Sequence, residues 1–150
     1  APPLRPDVAL IHAPMADRHG NVHLEQPYVL DERFAAASRE VIVSVERVVS
    51  TEEVQRAGIT VPAHLVSAVV EVPYGAHPSS CYPDYAYDRA HIGEYVRAAA
   101  QGGAALEDYL QRYVTGTPSE EAYQKAVGED RLRSLGTWAE STEQWKELFV

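Results

Sequence analysis

The chain has one cysteine, one methionine and two phenylalanines among its 150 residues. A single thiol, Cys81, excludes an internal disulfide and a zinc site built from cysteines. Basic residues are scarce as well. Thirteen Lys and Arg face 22 Asp and Glu, for a formal net charge of −9 spread along the chain. Binding nucleic acid requires a basic surface that releases counterions, so no nucleic-acid partner is expected. No apolar run approaches the roughly 20 residues that span a bilayer, and no membrane partner is expected. The opening Ala-Pro-Pro-Leu-Arg-Pro lacks the apolar core of a signal peptide, which makes the cytoplasm the expected compartment. Gly-x-Ser-x-Gly, Gly-x-Gly-x-x-Gly and the phosphate-binding P-loop pattern are all missing, so a serine elbow and nucleotide binding by those routes are not expected. What remains is an average globular composition, 45% hydrophobic and 23% charged, long enough for one domain with a real core.

The apolar runs come in short blocks. Val8-Ala-Leu-Ile-His12, followed by Pro14, has the pattern of a buried strand, and Gly20-Asn21 supplies a turn into a second extended piece at Val22 to Glu25. Asp31 is placed to cap a helix over Glu32 to Arg39. The β-branched Val41-Ile-Val-Ser-Val45 is the clearest strand, Ser50-Thr-Glu-Glu53 is a capping box opening a helix that ends at Gly58, and Leu65 to Val72 gives a third strand. Helical spacing follows at Ile92, Tyr95, Val96 and Ala99, then at Leu106, Tyr109, Leu110 and Tyr113, with Gly102-Gly103 between them. Thr117-Pro-Ser-Glu120 has the form of a second capping box, and Arg131 to Leu135 is placed to continue that helix past Gly128. The expected fold is α/β: a mainly parallel sheet flanked by helices, with a helical C-terminal tail. The expected layout is a single domain over 1–150, with a strand-helix core at 1–88 and the tail at 89–150.

Ligands of open α/β sheets sit beyond the carboxyl ends of the strands. His12, Glu46 and Glu71 lie at or just past such ends and are expected to converge; structural pairing of Glu46 with arginine, and of Glu71 with loop backbone, is the plainer alternative. Tyr74-Gly-Ala-His-Pro-Ser-Ser80 is the best local candidate for ligand contact. Gly75 allows close approach of the backbone, Pro78 stiffens the loop, and His77, Ser79 and Ser80 can donate hydrogen bonds. A structural loop satisfying its own backbone is the competing reading. Asn21 belongs to a turn in which Gly and Asn supply positive φ, or shapes a site edge. His19 and His23 straddle that turn, so no metal ligand set is expected. A nucleophilic role for Cys81 is set against burial as a small apolar residue. The nine tyrosines sit largely in the tail and the loop before it, a distribution that fits an interface or core packing.

Four stretches, in order, resemble one enzyme family: Arg5-Pro-Asp-Val-Ala-Leu-Ile-His12, Ala16-Asp-Arg-His-Gly-Asn21, Ser44-Val-Glu-Arg-Val-Val-Ser-Thr-Glu-Glu53 and Val69-Val-Glu-Val-Pro-Tyr-Gly-Ala-His-Pro-Ser-Ser-Cys-Tyr-Pro83. They are similar to the C-terminal half of a family I CoA-transferase subunit, of the A (α) type found in glutaconate and 3-oxoacid CoA-transferases. The similarity runs from Arg5 to Leu135 and weakens around Gly102-Gly103 and after Trp138. It implies transfer of CoA from an acyl-CoA to a small carboxylic acid through a glutamyl-CoA thioester, with the CoA thioester as substrate and no permanently bound cofactor. It also implies a B-type partner subunit that supplies the nucleophilic glutamate, so no catalytic residue is assigned here and Glu25, Glu46 and Glu71 are not cast in that role. Substrate contacts are expected from Asn21, Glu46, Tyr74, Gly75, His77, Pro78 and Ser79. The missing initiator methionine and the near-immediate first strand suggest a fragment of a longer subunit. Two other functions fit the same frame: a hydrolase of ring-derived CoA thioesters, and a non-catalytic interaction module.

Overall fold

The computed structural model describes residues 4–26 and 28–136. Trp138, where the resemblance weakens, lies outside them. The chain divides into two compact units, one of residues 1–76 with 81–83, the other of residues 77–80 with those from 84 onward.

The first unit is built on a four-stranded sheet of β1 (Val8–Asp17), β2 (Val22–His23), β3 (Glu40–Val49) and β4 (Ala68–Glu71) in the order β2-β1-β3-β4. β1, β3 and β4 run parallel, and β2 folds back antiparallel on β1. Register decides which side each residue takes, because side chains alternate along a strand and partners share a face. Ala9, Ile11 and Ala13 lie beside Val41, Val43 and Val45, and Val43 beside Val69. That face is the core, closed with Val22, Leu24, Ala35 and Val61. The opposite face carries His12 beside Ser44 and Val70, with Leu10 74% exposed. Helices α1 (Asp31–Ala37) and α2 (Thr51–Ala57) make the two crossovers that parallel strands require.

Several boundaries differ from the sequence reading. β1 runs through Pro14 to Asp17; the β1–β3 ladder skips the Pro14–Glu46 step, where proline has no N–H to give. β4 is shorter than expected, because Ala63–Leu65 turns as a single 3-10 coil before it. Asp31 is the first helical residue and no side chain caps α1. The Ser50 cap is as expected: its side chain accepts from the Glu53 N–H, and Gly58 at φ 101° ends α2.

The second unit contains α3 (Arg89–Gln101), α4 (Gly103–Leu110) running into a π turn at Gln111–Thr115, α5 (Glu120–Val127) and α6 (Glu129–Arg133). Gly102 breaks α3 from α4 and Gly128 breaks α5 from α6, so Arg131 to Leu135 does not simply extend α5. The residue capping α5 is Ser119, whose oxygen accepts from the Ala122 N–H, while Thr117 turns back to the Tyr113 and Val114 carbonyls. Ser119→Ala should therefore lower stability by about 1 kcal/mol in urea denaturation. Thr117→Ser should leave it within about 0.5 kcal/mol, since the hydroxyl is retained. A Ser119→Ala variant as stable as the parent would rule Ser119 out as the cap.

Candidate functional site

Two polar clusters stand out, one in each unit. In the first, parallel register sets His12 beside Ser44, with Glu46 two residues further on the same face of β3. His12 Nδ1 lies 2.9 Å from Ser44 Oγ, and Nε2 lies 2.6 Å from Glu46 Oε1. A carboxylate only accepts, so Nε2–H donates to Glu46; in a neutral ring Nδ1 then receives the Ser44 hydroxyl proton. The other Glu46 oxygen accepts from the Tyr74 N–H at 2.7 Å. Glu46 is thus a buried carboxylate joining β1, β3 and the loop after β4.

That loop sits tightly on His12. Tyr74 has φ 61°, the left-handed conformation that side-chain-bearing residues rarely adopt. A Cβ on Gly75 would stand 2.8 Å from His12 Cε1 and 2.8 Å from the Val72 carbonyl oxygen. Glycine is needed here for closeness to the protein's own imidazole rather than for positive φ. Cys81, also buried, places its sulfur among these groups: one potential ligand atom each from His12, Glu46 and Cys81 lie within 4.8 Å of one another.

His12 and Glu46 do converge, in mid-strand rather than at strand ends. Glu71 goes elsewhere, accepting from the Val48 N–H at 2.7 Å. Asn21 is committed to its turn: its side-chain amide donates to Asp17 Oδ2, and its oxygen accepts from the Ala63 N–H. Gly20 alone takes the positive φ, at 96°, so Asn21 does not share that role. Asp17, wholly buried, organises this turn. Burial pushes its carboxyl up, but hydrogen bonds from Asn21, Thr51 and His19 outweigh burial and hold it below the ordinary value. His19 is exposed, whereas His23 bonds the Gly58 carbonyl and Glu25, so the two histidines do not form a ligand pair. A cleft of about 510 Å³ opens at the carboxyl ends of β1 and β3, lined by Arg18, His19, Val48, Val49, Ser50 and Thr51. None of the seven residues expected to touch substrate lines it.

In the second unit His77 is fully buried, and both its nitrogens are engaged. Nδ1 accepts from the Tyr123 hydroxyl at 2.6 Å and Nε2–H donates to Asp88 at 3.2 Å. Asp88 is the cap of α3, accepting from the His91 N–H, and it takes both ends of the Arg131 guanidinium. Burial raises the Asp88 carboxyl, but these donors hold it far below the carboxylate range. Burial lowers both histidines; Asp88 opposes this at His77, whereas the facing His77 and Arg131 reinforce it at His91. Burial drives the Tyr123 hydroxyl up to about 12. His91 packs 4.5 Å from the Tyr113 ring, and its Nδ1 has no hydrogen-bond partner among the described residues. Pro78 holds the other side of the loop, its carbonyl accepting from the Asp88 N–H, and Ser79 is exposed. Sequence reading missed this knot. Asp88 ahead of a helix was a local capping signal, but its partner Arg131 lies 43 residues away.

Gly75→Ala should destabilise the protein by about 1–3 kcal/mol, read by urea denaturation, because His12 and the Val72 carbonyl leave no room. An unchanged midpoint would mean that the loop rises freely. Stability should also fall as pH drops below about 6.5: the unfolded chain takes up protons on His77 and His91 that the folded chain resists. A second loss should begin below about 4 and continue as Asp88 is protonated. Denaturation midpoints between pH 8 and pH 3 check this, and His91→Gln should flatten the upper limb.

Comparison with known proteins gives a consistent answer. Residues 1–72 match the family described as Coenzyme A transferase. The chain is 33% identical to the A-type subunit of glutaconate CoA-transferase from Acidaminococcus fermentans over 131 residues, covering 86% of this chain and 41% of that one. It is 35% identical to the cholesterol ring-cleaving hydrolase IpdA subunit of Mycobacterium tuberculosis, covering 84% and 44%. A third relative is the A-type subunit of 3-oxoadipate CoA-transferase from Pseudomonas knackmussii, 31% identical with 87% and 46% covered. The crystal structure of the Acidaminococcus fermentans glutaconate coenzyme A-transferase superposes with a TM-score of 0.80 over 86% of this chain and 41% of that one. The chain spans less than half the length of each of these relatives. With its mostly parallel sheet and flanking helices, the chain is similar in sequence and fold to the A-type subunits of the coenzyme A transferase family, whose match covers residues 1–72.

Proposed function

We propose that this chain is part of the A-type component of a heteromeric CoA-transferase, which moves CoA between an acyl-CoA and a small carboxylic acid. The observation that carries the reading is the likeness to glutaconate CoA-transferase, in both sequence and fold. In this reading a B-type subunit supplies the nucleophilic glutamate, the CoA thioester arrives as substrate, and no cofactor is permanently bound. The place of action is the cytoplasm. Tyr74 and Gly75 in the first unit, and Pro78 and Ser79 in the second, contribute substrate contacts. Asn21, Glu46 and His77 act indirectly, by holding the turn and loops that carry such contacts.

A second reading, hydrolysis of ring-derived CoA thioesters, is favoured by the relatives named as ring-cleaving hydrolases. One assay separates the two. The chain is assembled with a B-type subunit and the remainder of an A-type subunit, then given a panel of acyl-CoAs with labelled acetate. Exchange of label into acyl-CoA only in the complete assembly is the expected result. Release of free CoA without exchange would transfer the assignment to the hydrolase. Exchange by this chain alone at the rate of the assembly would overturn the placement of the nucleophile in the partner.

A further inference from the structure

Two groups of three potential metal ligands occur among the described residues, and their surroundings decide between them. Asp88, His77 and His91 form the first. Each Asp88 oxygen there accepts from Arg131 and from one further donor, so a cation would compete with a guanidinium for a saturated carboxylate. That group is a structural knot.

His12, Glu46 and Cys81 form the second, where a cation would take the place of a proton shared by His12 and Glu46. The cations nearest in chemistry, divalent ions of the zinc type, take nitrogen, oxygen and sulfur ligands together. Metal-binding histidines are held by a hydrogen bond at their other ring nitrogen, and metal-binding carboxylates by one at their other oxygen. Both supports are present. Ser44 holds His12 at Nδ1, which aims Nε2 inward, and the Tyr74 N–H holds Glu46 at Oε2, which aims Oε1 inward. The three residues come from β1, β3 and the segment 81–83 of the same unit, and all three side chains are buried or nearly so.

We infer that His12 Nε2, Glu46 Oε1 and Cys81 Sγ form a binding site for a zinc-type divalent cation. The inference goes beyond the proposed transferase function and does not depend on it. Binding needs no redox step. The Cys81 thiol gives up its proton to solvent, and the His12 proton moves from Nε2 to Nδ1. There Ser44 Oγ accepts it, an oxygen that donates and accepts equally well, so no hydrogen bond is lost at that end. The proton between Nε2 and Oε1 is replaced by the cation. Bond lengths of the zinc type require ligand atoms roughly 3.4–3.7 Å apart. The 2.6 Å His12–Glu46 contact must therefore open by about 1 Å, within reach of side-chain rotation.

Cobalt(II) serves as the spectroscopic probe, added to the purified chain. The expected result is one equivalent bound, with a thiolate-to-cobalt charge-transfer band that Cys81→Ser abolishes and Glu46→Gln weakens at least tenfold in affinity. Because the serine or glutamine variant can lose its fold, a second measurement uses the unaltered protein. Cys81 is the only thiol, and zinc should slow its alkylation at least tenfold. Cobalt bound without a charge-transfer band, or alkylation indifferent to zinc, overturns the site and leaves a proton-bonded cluster.

Discussion

A carboxylate taken out of water must be surrounded by donors; in the first unit Asp17 meets this demand within a single turn, and Glu46 meets it by joining separate strands. Its two oxygens are served by different parts of the chain, one by a side chain from β1 and the other by a backbone N–H after β4. Removing either donor would leave part of a buried charge uncompensated, which is costly in a low-dielectric setting. The conformation of the loop depends on it too. Tyr74 holds an unfavourable left-handed backbone while its N–H is bound to Glu46, and the close approach of Gly75 to His12 follows from that turn.

The second unit solves the same problem with a different partner. Asp88 is also buried and also accepts from both backbone and side chain, but its principal counter-group is the Arg131 guanidinium. An always-charged planar fork satisfies a carboxylate bidentately, whereas an imidazole satisfies one oxygen. The consequence differs accordingly. Asp88 is locked, with His77 and His91 held neutral around it by burial, while the Glu46 cluster is joined by protons that a competitor of the right chemistry can replace.

Much of the architecture was legible in the chain because it rests on local rules. Val41 to Val45 announced a strand by its β-branching, Ser50 to Glu53 a helix start, and Gly20, Gly58 and Gly102 the turns and stops. The misreadings share a cause, which is that tertiary pairing overrode a local signal. Pro14 looked like a terminator, yet the neighbouring ladder carries β1 past it. Thr117 and Ser119 both offered a capping hydroxyl, and only the three-dimensional path of the π turn before them decides which is used. The site divides in the same way. His12 and Glu46 were expected to meet at a shared strand edge; parallel register brings them together in mid-strand instead, and leaves Glu71 out. Cys81 and Arg131 joined their clusters across separations that no periodicity encodes.

The state of the glutamates bears on the proposed division of labour between subunits. A glutamate that attacks a thioester needs a carboxylate oxygen free to approach a carbonyl carbon. Glu46 has one oxygen against His12 and the other on the Tyr74 N–H. Glu71 is bound to the backbone of β3, and Glu25 contacts His23 from a half-exposed position just past β2. Freeing Glu46 would dismantle the loop it supports. Freeing Glu71 would unpin β3 at its carboxyl end. A nucleophile brought by another subunit, as proposed above, leaves these structural carboxylates undisturbed.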